Sequence, residues 1–127
     1  MLEHITAVKQ KLDAAIAQLC EVSWMFAKHP ERDFTRERKL PFREVISLLL
    51  SMEGGTLSTE LLKHFGCSAD TVSASAFVQQ RNKINADALP SLFDLFVQNT
   101  DVPRYYKGFR LLAADGSEIQ IPTNPAD

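Results

Sequence analysis

Three groups of residues in this 127-residue chain have types and spacings that can do chemistry. The first is Asp115, which follows the short apolar run Phe109-Arg110-Leu111-Leu112-Ala113-Ala114 and precedes Gly116-Ser117. A carboxylate at the C-terminal end of a buried strand can hold a divalent cation against phosphate oxygens, the usual machinery of phosphodiester chemistry. One carboxylate does not complete such a site, and Glu118 is the only other acid before the terminal Asp127. By spacing alone, Asp-Gly between two strand-like runs reads first as a hairpin turn. The second group is a basic arm in which Arg32, Arg36, Arg38, Lys39 and Arg43 surround Phe34. Guanidinium groups fork onto phosphates, and an irregular arm can follow a groove. The third is the polar face of a helix over 74–84. There Ser75, Gln79 and Asn82 can reach base edges and Lys83 can reach phosphate.

Each group has a plainer reading. Glu31, Asp33 and Glu37 partly neutralise the arm, as in any solvated loop. The helices over 57–66 and 74–84 have helix-turn-helix spacing, but helical domains commonly contain such pairs. At 100° per residue, Arg81 falls among Ala74, Phe77, Val78 and Ile84. It therefore reads as a structural residue, paired or lying along the core. His4, His29 and His64 lack metal-ligand spacing, Ser117 lacks a nucleophile-elbow context, and no phosphate-binding glycine loop occurs. Trp24 and Tyr105-Tyr106 read as core or interface residues.

These residues must be positioned by elements that are mostly helical. Ile5, Val8, Leu12, Ile16, Leu19 and Phe26 recur at helical spacing and predict one long amphipathic helix over 2–27, stopped by Pro30. An irregular linker over 30–41 follows, with one helical turn near Thr35. Pro41 suits the first turn of a helix over 42–53, which is apolar nearly all round and reads as the core helix. Gly54-Gly55 end it. A third helix begins at Thr56 or Ser58 and faces inward through Leu57, Leu61, Leu62 and Phe65. Ser73 caps the fourth. A fifth starts at Asn85 or Asp87, with Leu89, Leu92, Phe93, Phe96 and Val97 inward. Beyond Asn99 the pattern changes. Residues 100–108 read as a loop, 109–114 as a buried strand and 118–121 as a half-exposed strand stopped by Pro122. The fold class is mainly α, with five helices, a helix-turn-helix-like pair and a short terminal β-hairpin.

Composition narrows the functional classes. The net charge of −2 conceals a basic stretch, in which Lys28, Arg32, Arg36, Arg38, Lys39 and Arg43 face only three acids, beside an acidic one over 44–106. Any phosphate binding is therefore local rather than spread over the surface. No run approaches the roughly 18 apolar residues of a membrane span, so no membrane partner is expected. Nor does the N-terminus resemble a signal peptide. Cys20 and Cys67, without CxxC spacing, read as buried thiols in a reducing compartment, hence the cytoplasm.

Three ordered blocks carry a resemblance. Phe34-Thr35-Arg36-Glu37-Arg38-Lys39-Leu40-Pro41-Phe42, Ser75-Ala76-Phe77-Val78-Gln79-Gln80-Arg81-Asn82-Lys83-Ile84, and Tyr106 through Ser117 continued by Ile121-Pro122-Thr123-Asn124-Pro125 resemble the insertion-sequence DDE transposases of the large family numbered four. The resemblance implies that residues 1–100 form a helical DNA-binding domain for transposon ends. It also implies that 101–127 begin a ribonuclease-H-like catalytic domain, with 109–121 as its first two strands. Asp115 would be the catalytic carboxylate and metal ligand, the first of three acids that bind two Mg²⁺ ions in a full-length parent. The second Asp and the Glu lie far downstream in such enzymes. The 127 residues alone are thus expected to be catalytically silent and to need no cofactor. The DNA contacts expected are Arg36, Arg38, Lys39, Arg43, Ser75, Gln79, Asn82 and Lys83. The alternative is a helical interaction module, self-associating through helix 1 or exposed C-terminal strands. A self-sufficient nuclease is a third reading, disfavoured by the single carboxylate.

Overall fold

The computed structural model describes residues 1–36, 38–100, 105–112 and 116. Among these residues five helices, α1 (Leu2–Glu21), α2 (Phe42–Ser51), α3 (Leu57–His64), α4 (Ala74–Arg81) and α5 (Ala88–Thr100), precede a hairpin of β1 (Tyr105–Tyr106) and β2 (Phe109–Arg110). The mainly α class with a terminal hairpin is thus observed.

The central element is α2. Its Phe42 and Ile46 pack with Ala15, Ile16 and Leu19 of α1 and with Ala88 and Leu92 of α5. Its Val45 and Leu48 pack with Leu40, Leu61 of α3 and Phe77 of α4. Two apolar faces on one short helix explain why its sequence is hydrophobic nearly all round. The fully buried Leu19, Val45, Ile46, Leu48, Leu61 and Phe77 each contribute about 1.5–3 kcal/mol of burial.

Helix α1 ends at Glu21, not at Ala27. Val22 leaves helical geometry (φ −115°, ψ 24°) and a 3-10 turn, Ser23–Phe26, follows. The competing interaction is long-range. Ala27 is extended and bridges Ile84, with Lys28 N–H donating to the Lys83 carbonyl (2.9 Å) and Asn85 N–H to that of Phe26 (2.7 Å). A helix continued through Ala27 would forfeit both bonds. Pro30 therefore opens the next turn instead of stopping α1. Arg32 and Asp33 donate to the His29 carbonyl at 2.9 and 2.7 Å, so the single turn of the linker lies before Thr35.

The connection from α2 to α3 is organised by a buried acid. Glu60 Oε1 accepts from Glu53 N–H (3.2 Å) and Gly55 N–H (2.7 Å). Thr56 caps α3 by accepting from Thr59 N–H. At the other end of α3, Cys67 N–H reaches the Leu62 carbonyl (2.7 Å) and Gly66 N–H that of Lys63 (3.2 Å), a Schellman closure with Gly66 at φ 63°.

Several expectations need correction. Leu62, Leu89, Phe93 and Val97 are exposed, because Leu61 fills the inner position of α3 and Ala88 and Leu92 carry the buried side of α5. Cys67 is exposed at the Schellman turn, and Cys20 is only partly covered. Trp24, Tyr105 and Tyr106 are exposed and so are not core. The hairpin forms one strand earlier than expected. Lys107 and Gly108, both at positive φ, make the two-residue turn that joins Tyr106 to Phe109. Phe109, Leu111 and Leu112 lie at the surface instead of in a buried strand. The expected second strand over 118–121 falls outside the described residues.

Candidate nucleic-acid interface

The polar face of α4 is presented by its packing. Ser73 caps the helix by accepting from Ala76 N–H (3.2 Å), and Phe77 is driven fully inside, so Ser75, Gln79 and Asn82 are left outward. Gln79 Nε2 donates to Ser75 Oγ at 3.4 Å, which steadies a residue one turn away. The connection from α3 to α4, residues 65–73, exceeds the three-to-four-residue turn of a minimal helix-turn-helix. The α2–α3–α4 unit around Val45, Leu48, Leu61 and Phe77 nonetheless packs α4 with its polar side free.

The basic arm is fixed by Phe34. Its ring meets Phe42 edge to face at 5.5 Å and touches both core clusters. Its backbone sits at φ 60°, a left-handed conformation that costs a bulky residue about 1–2 kcal/mol. Burial of the ring holds the chain there. Just before it, Asp33 is buried (5% exposed) and its Oδ2 accepts from His29 N–H at 3.1 Å, closing the turn from within.

These two features converge. A groove of about 630 Å³ is lined by Lys28, Arg32, Arg36 and Arg38 from the arm side and by Gln79, Asn82 and Lys83 from the α4 side. A neighbouring groove of about 440 Å³ adds Lys39, Val72 and Ala76, and the two share Arg38, Leu40, Gln79, Gln80 and Lys83. Of the cations, Arg32 Nε lies 3.7 Å from Asp33 Oδ1, and Lys39 Nζ pairs with Asp70 at 3.0 Å. Arg36, Arg38 and Lys83 have no ion pair among the described residues. The same lining includes Glu31 and Asp33, so the cations outnumber the acids there without being free of them, and such an excess offers anion binding that weakens with salt.

Of the eight DNA-contact residues expected, Arg36, Arg38, Lys39, Gln79, Asn82 and Lys83 line the two grooves; Arg43 and Ser75 do not. Arg43 lies on α2 close enough to Cys20 for its charge to act on that thiol. Ser75 is exposed one turn above Gln79. Arg81 is exposed and unpaired among the described residues, contrary to the structural role expected. The residue that sequence reasoning missed is Lys28, placed here by the Ala27–Ile84 bridge. No local pattern announces such a pairing between residues far apart in the chain.

Asp115 and Glu118 fall outside the described residues, so the fit of a metal to Asp115 has no geometry to rest on. Among the described residues no group of three or more His, Cys, Asp or Glu side chains gathers into a metal site. No described helix is long and apolar enough to cross a membrane. Comparison with protein families, with curated proteins and with solved structures finds no match.

Proposed function

We propose that the helical region binds duplex DNA, as the N-terminal, end-binding part of a DDE transposase of the insertion-sequence type. The observation that carries this reading is the convergence of the arm, with Arg36 and Arg38, and the C-terminal end of α4, with Gln79 on the helix and Asn82 and Lys83 just after it, on one groove system. Arginines on phosphate fix register, while Gln and Asn, here on and just after α4, are the side chains that read adenine in the major groove. In this reading the arm tracks the backbone as α4 approaches the base edges. Asp115 belongs to the chemistry of the parent enzyme, where Mg²⁺ would supply charge stabilisation, and not to DNA binding. Free thiols at Cys20 and Cys67 fit a cytoplasmic protein.

Fluorescence anisotropy with the element's terminal repeat and with an unrelated duplex, each at several salt concentrations, tests the reading. Affinity falls steeply with salt, and the Arg36→Gln/Arg38→Gln double variant lowers the magnitude of the log–log slope by about 1.8, two phosphate contacts' worth. The terminal repeat is bound more tightly than the unrelated duplex. Absence of binding at low salt, or equal affinity for both duplexes, would overturn end recognition.

One observation favours a second reading, self-association. On α1 the apolar face that buries Ile16 and Leu19 continues through Leu12, Val8, Ile5 and Met1, and Met1, Ile5 and Val8 are exposed. A face built for burial and left bare fits a second copy of the chain. Sedimentation of the wild type and of Ile5→Lys/Val8→Lys separates the cases. A concentration-dependent dimer abolished by the double variant supports it, and a monomer at all concentrations removes it.

A further inference from the structure

The Ala27–Ile84 bridge brings together two cations that the sequence keeps far apart. Lys28 donates its N–H to the carbonyl of Lys83 at 2.9 Å, so the two lysines are main-chain neighbours across an antiparallel bridge. The flanking bond from Asn85 N–H to the Phe26 carbonyl, at 2.7 Å, fixes the register. Both lysines line the larger groove, and neither has an ion pair among the described residues. Arg36 and Arg38 approach the same groove from the chain segment on the other side of the Phe34 anchor.

We infer that Lys28 and Lys83 form a preformed phosphate clamp, gripping the sugar–phosphate backbone of one nucleic-acid strand in the groove that the arginine arm also lines. This deepens the DNA-binding reading and rests on it, adding a contact from the end of the first helical segment. Main-chain pairing holds the two Cα positions, so binding orders only the side-chain stems. That is cheaper than ordering a loop as well. Two ammonium groups are point charges without the bidentate fork of arginine. They therefore suit sequence-independent phosphate contact, with base reading left to Gln79 and Asn82.

The test uses the full chain and a 20-base-pair duplex in anisotropy titrations from low to moderate salt. Lys28→Gln and Lys83→Gln each lower the magnitude of the salt slope by about 0.9 and weaken binding about fivefold to tenfold near 0.1 M salt. Lys9→Gln and Lys11→Gln on α1, outside the groove, leave slope and affinity at the wild-type values. Circular dichroism melts of Lys28→Gln match the wild type, because its main-chain bridge does not need the side chain. If Lys28→Gln binds like the wild type while Arg36→Gln/Arg38→Gln is weakened, the clamp is wrong and the DNA reading survives. If the wild type binds no duplex at low salt, both fall.

Discussion

Phe34 stands edge to face against Phe42 at 5.5 Å while its own backbone is left-handed, so the side chain that anchors the basic arm is also its point of strain. The ring joins both core clusters, and its burial offsets the conformational cost. The arm is therefore a held loop whose arginines start from a defined place.

This pairing predicts an unusual order of substitutions. Phe34→Ala loses packing worth roughly 2 kcal/mol, the low side for Phe truncation because the ring is only partly buried. It also leaves a Cβ in the left-handed region. Phe34→Gly loses the same packing but relieves about 1 kcal/mol of strain, which offsets the usual glycine penalty. Urea unfolding should find the glycine variant at least as stable as the alanine variant. An alanine variant more stable by a full kcal/mol would refute the account.

A second prediction concerns Glu60. Its carboxylate, 5% exposed as a residue, satisfies the amides of Glu53 and Gly55 at the α2–α3 connection. Glu60→Ala orphans both donors and should cost about 2 kcal/mol, whereas Glu60→Gln keeps an acceptor and should cost less. Gly55→Ala should also destabilise, since an added Cβ would lie 2.9 Å from Glu60 Oε1 and the carboxylate can move away only by lengthening its bonds to the two amides. Denaturant midpoints check all three, and an unchanged midpoint for Glu60→Ala would show that water replaces the carboxylate without loss.

The order of the helices, the cap Ser73 and the central role of α2 are legible in the sequence because they depend on local periodicity and side-chain hydrogen bonds. The choice between Thr56 and Ser58 at the start of α3 is made by the Thr56 cap in the structure. The polar residues of α4 are legible for the same reason, since only their neighbour Phe77 needed to be placed inside. What is not legible depends on distant pairing. The bridge from Ala27 to Ile84 shortens α1, opens the turn at Pro30 and brings Lys28 to the groove. Similarly, Arg81 looks internal on a helical projection, yet α4 ends at that residue and its side chain reaches solvent. The Lys107-Gly108 turn is less legible than Asp115-Gly116, because Lys-Gly is not a preferred hairpin pair and its positive φ values, 48° and 83°, appear only in the structure.

The two thiols should differ in reactivity. Burial pushes the Cys20 thiol above its ordinary pKa, with nearby Arg43 pulling weakly the other way, while Cys67 is exposed. A raised pKa leaves less thiolate at neutral pH, so Cys20 reacts more slowly. Iodoacetamide labelling followed by peptide mass mapping at pH 7.5 should modify Cys67 first. Raising the pH speeds Cys20 labelling, and denaturant removes the burial that delays it. Faster labelling of Cys20 in the folded chain would contradict the packing described for the end of α1.

Charge pairing on the exposed surface sets the alkaline limit of one contact. Glu53 holds the Lys63 ammonium by a 3.0 Å hydrogen bond and by its charge, and both raise the lysine pKa above 10.5. A pKa higher in the folded than in the unfolded chain stabilises the fold below the unfolded value, and that stabilisation is lost as pH rises through the folded value. The pair is exposed, so the effect is small. The difference in melting temperature between wild type and Lys63→Met should be slight at pH 7 and should shrink above about pH 10.5. A difference that grows with alkalinity would reverse the sign.

The hairpin and the core should respond oppositely to truncation. Each strand has two residues, and Tyr105, Tyr106, Phe109 and Arg110 are all exposed, so the described part of the hairpin covers little apolar surface. Two strands of this length are marginal without a packed face. Phe109→Ser should therefore change stability by no more than about 0.5 kcal/mol. Phe77→Ala, at a fully buried ring beside Leu48 and Leu61, should cost about 3–5 kcal/mol. Hydrogen exchange follows the same division, with Phe109 and Arg110 amides exchanging early and those of Ile46 and Leu48 exchanging only through global unfolding. If Phe109→Ser destabilised the chain as much as Phe77→Ala, the Phe109 ring would have to be packed, against its 76% exposure.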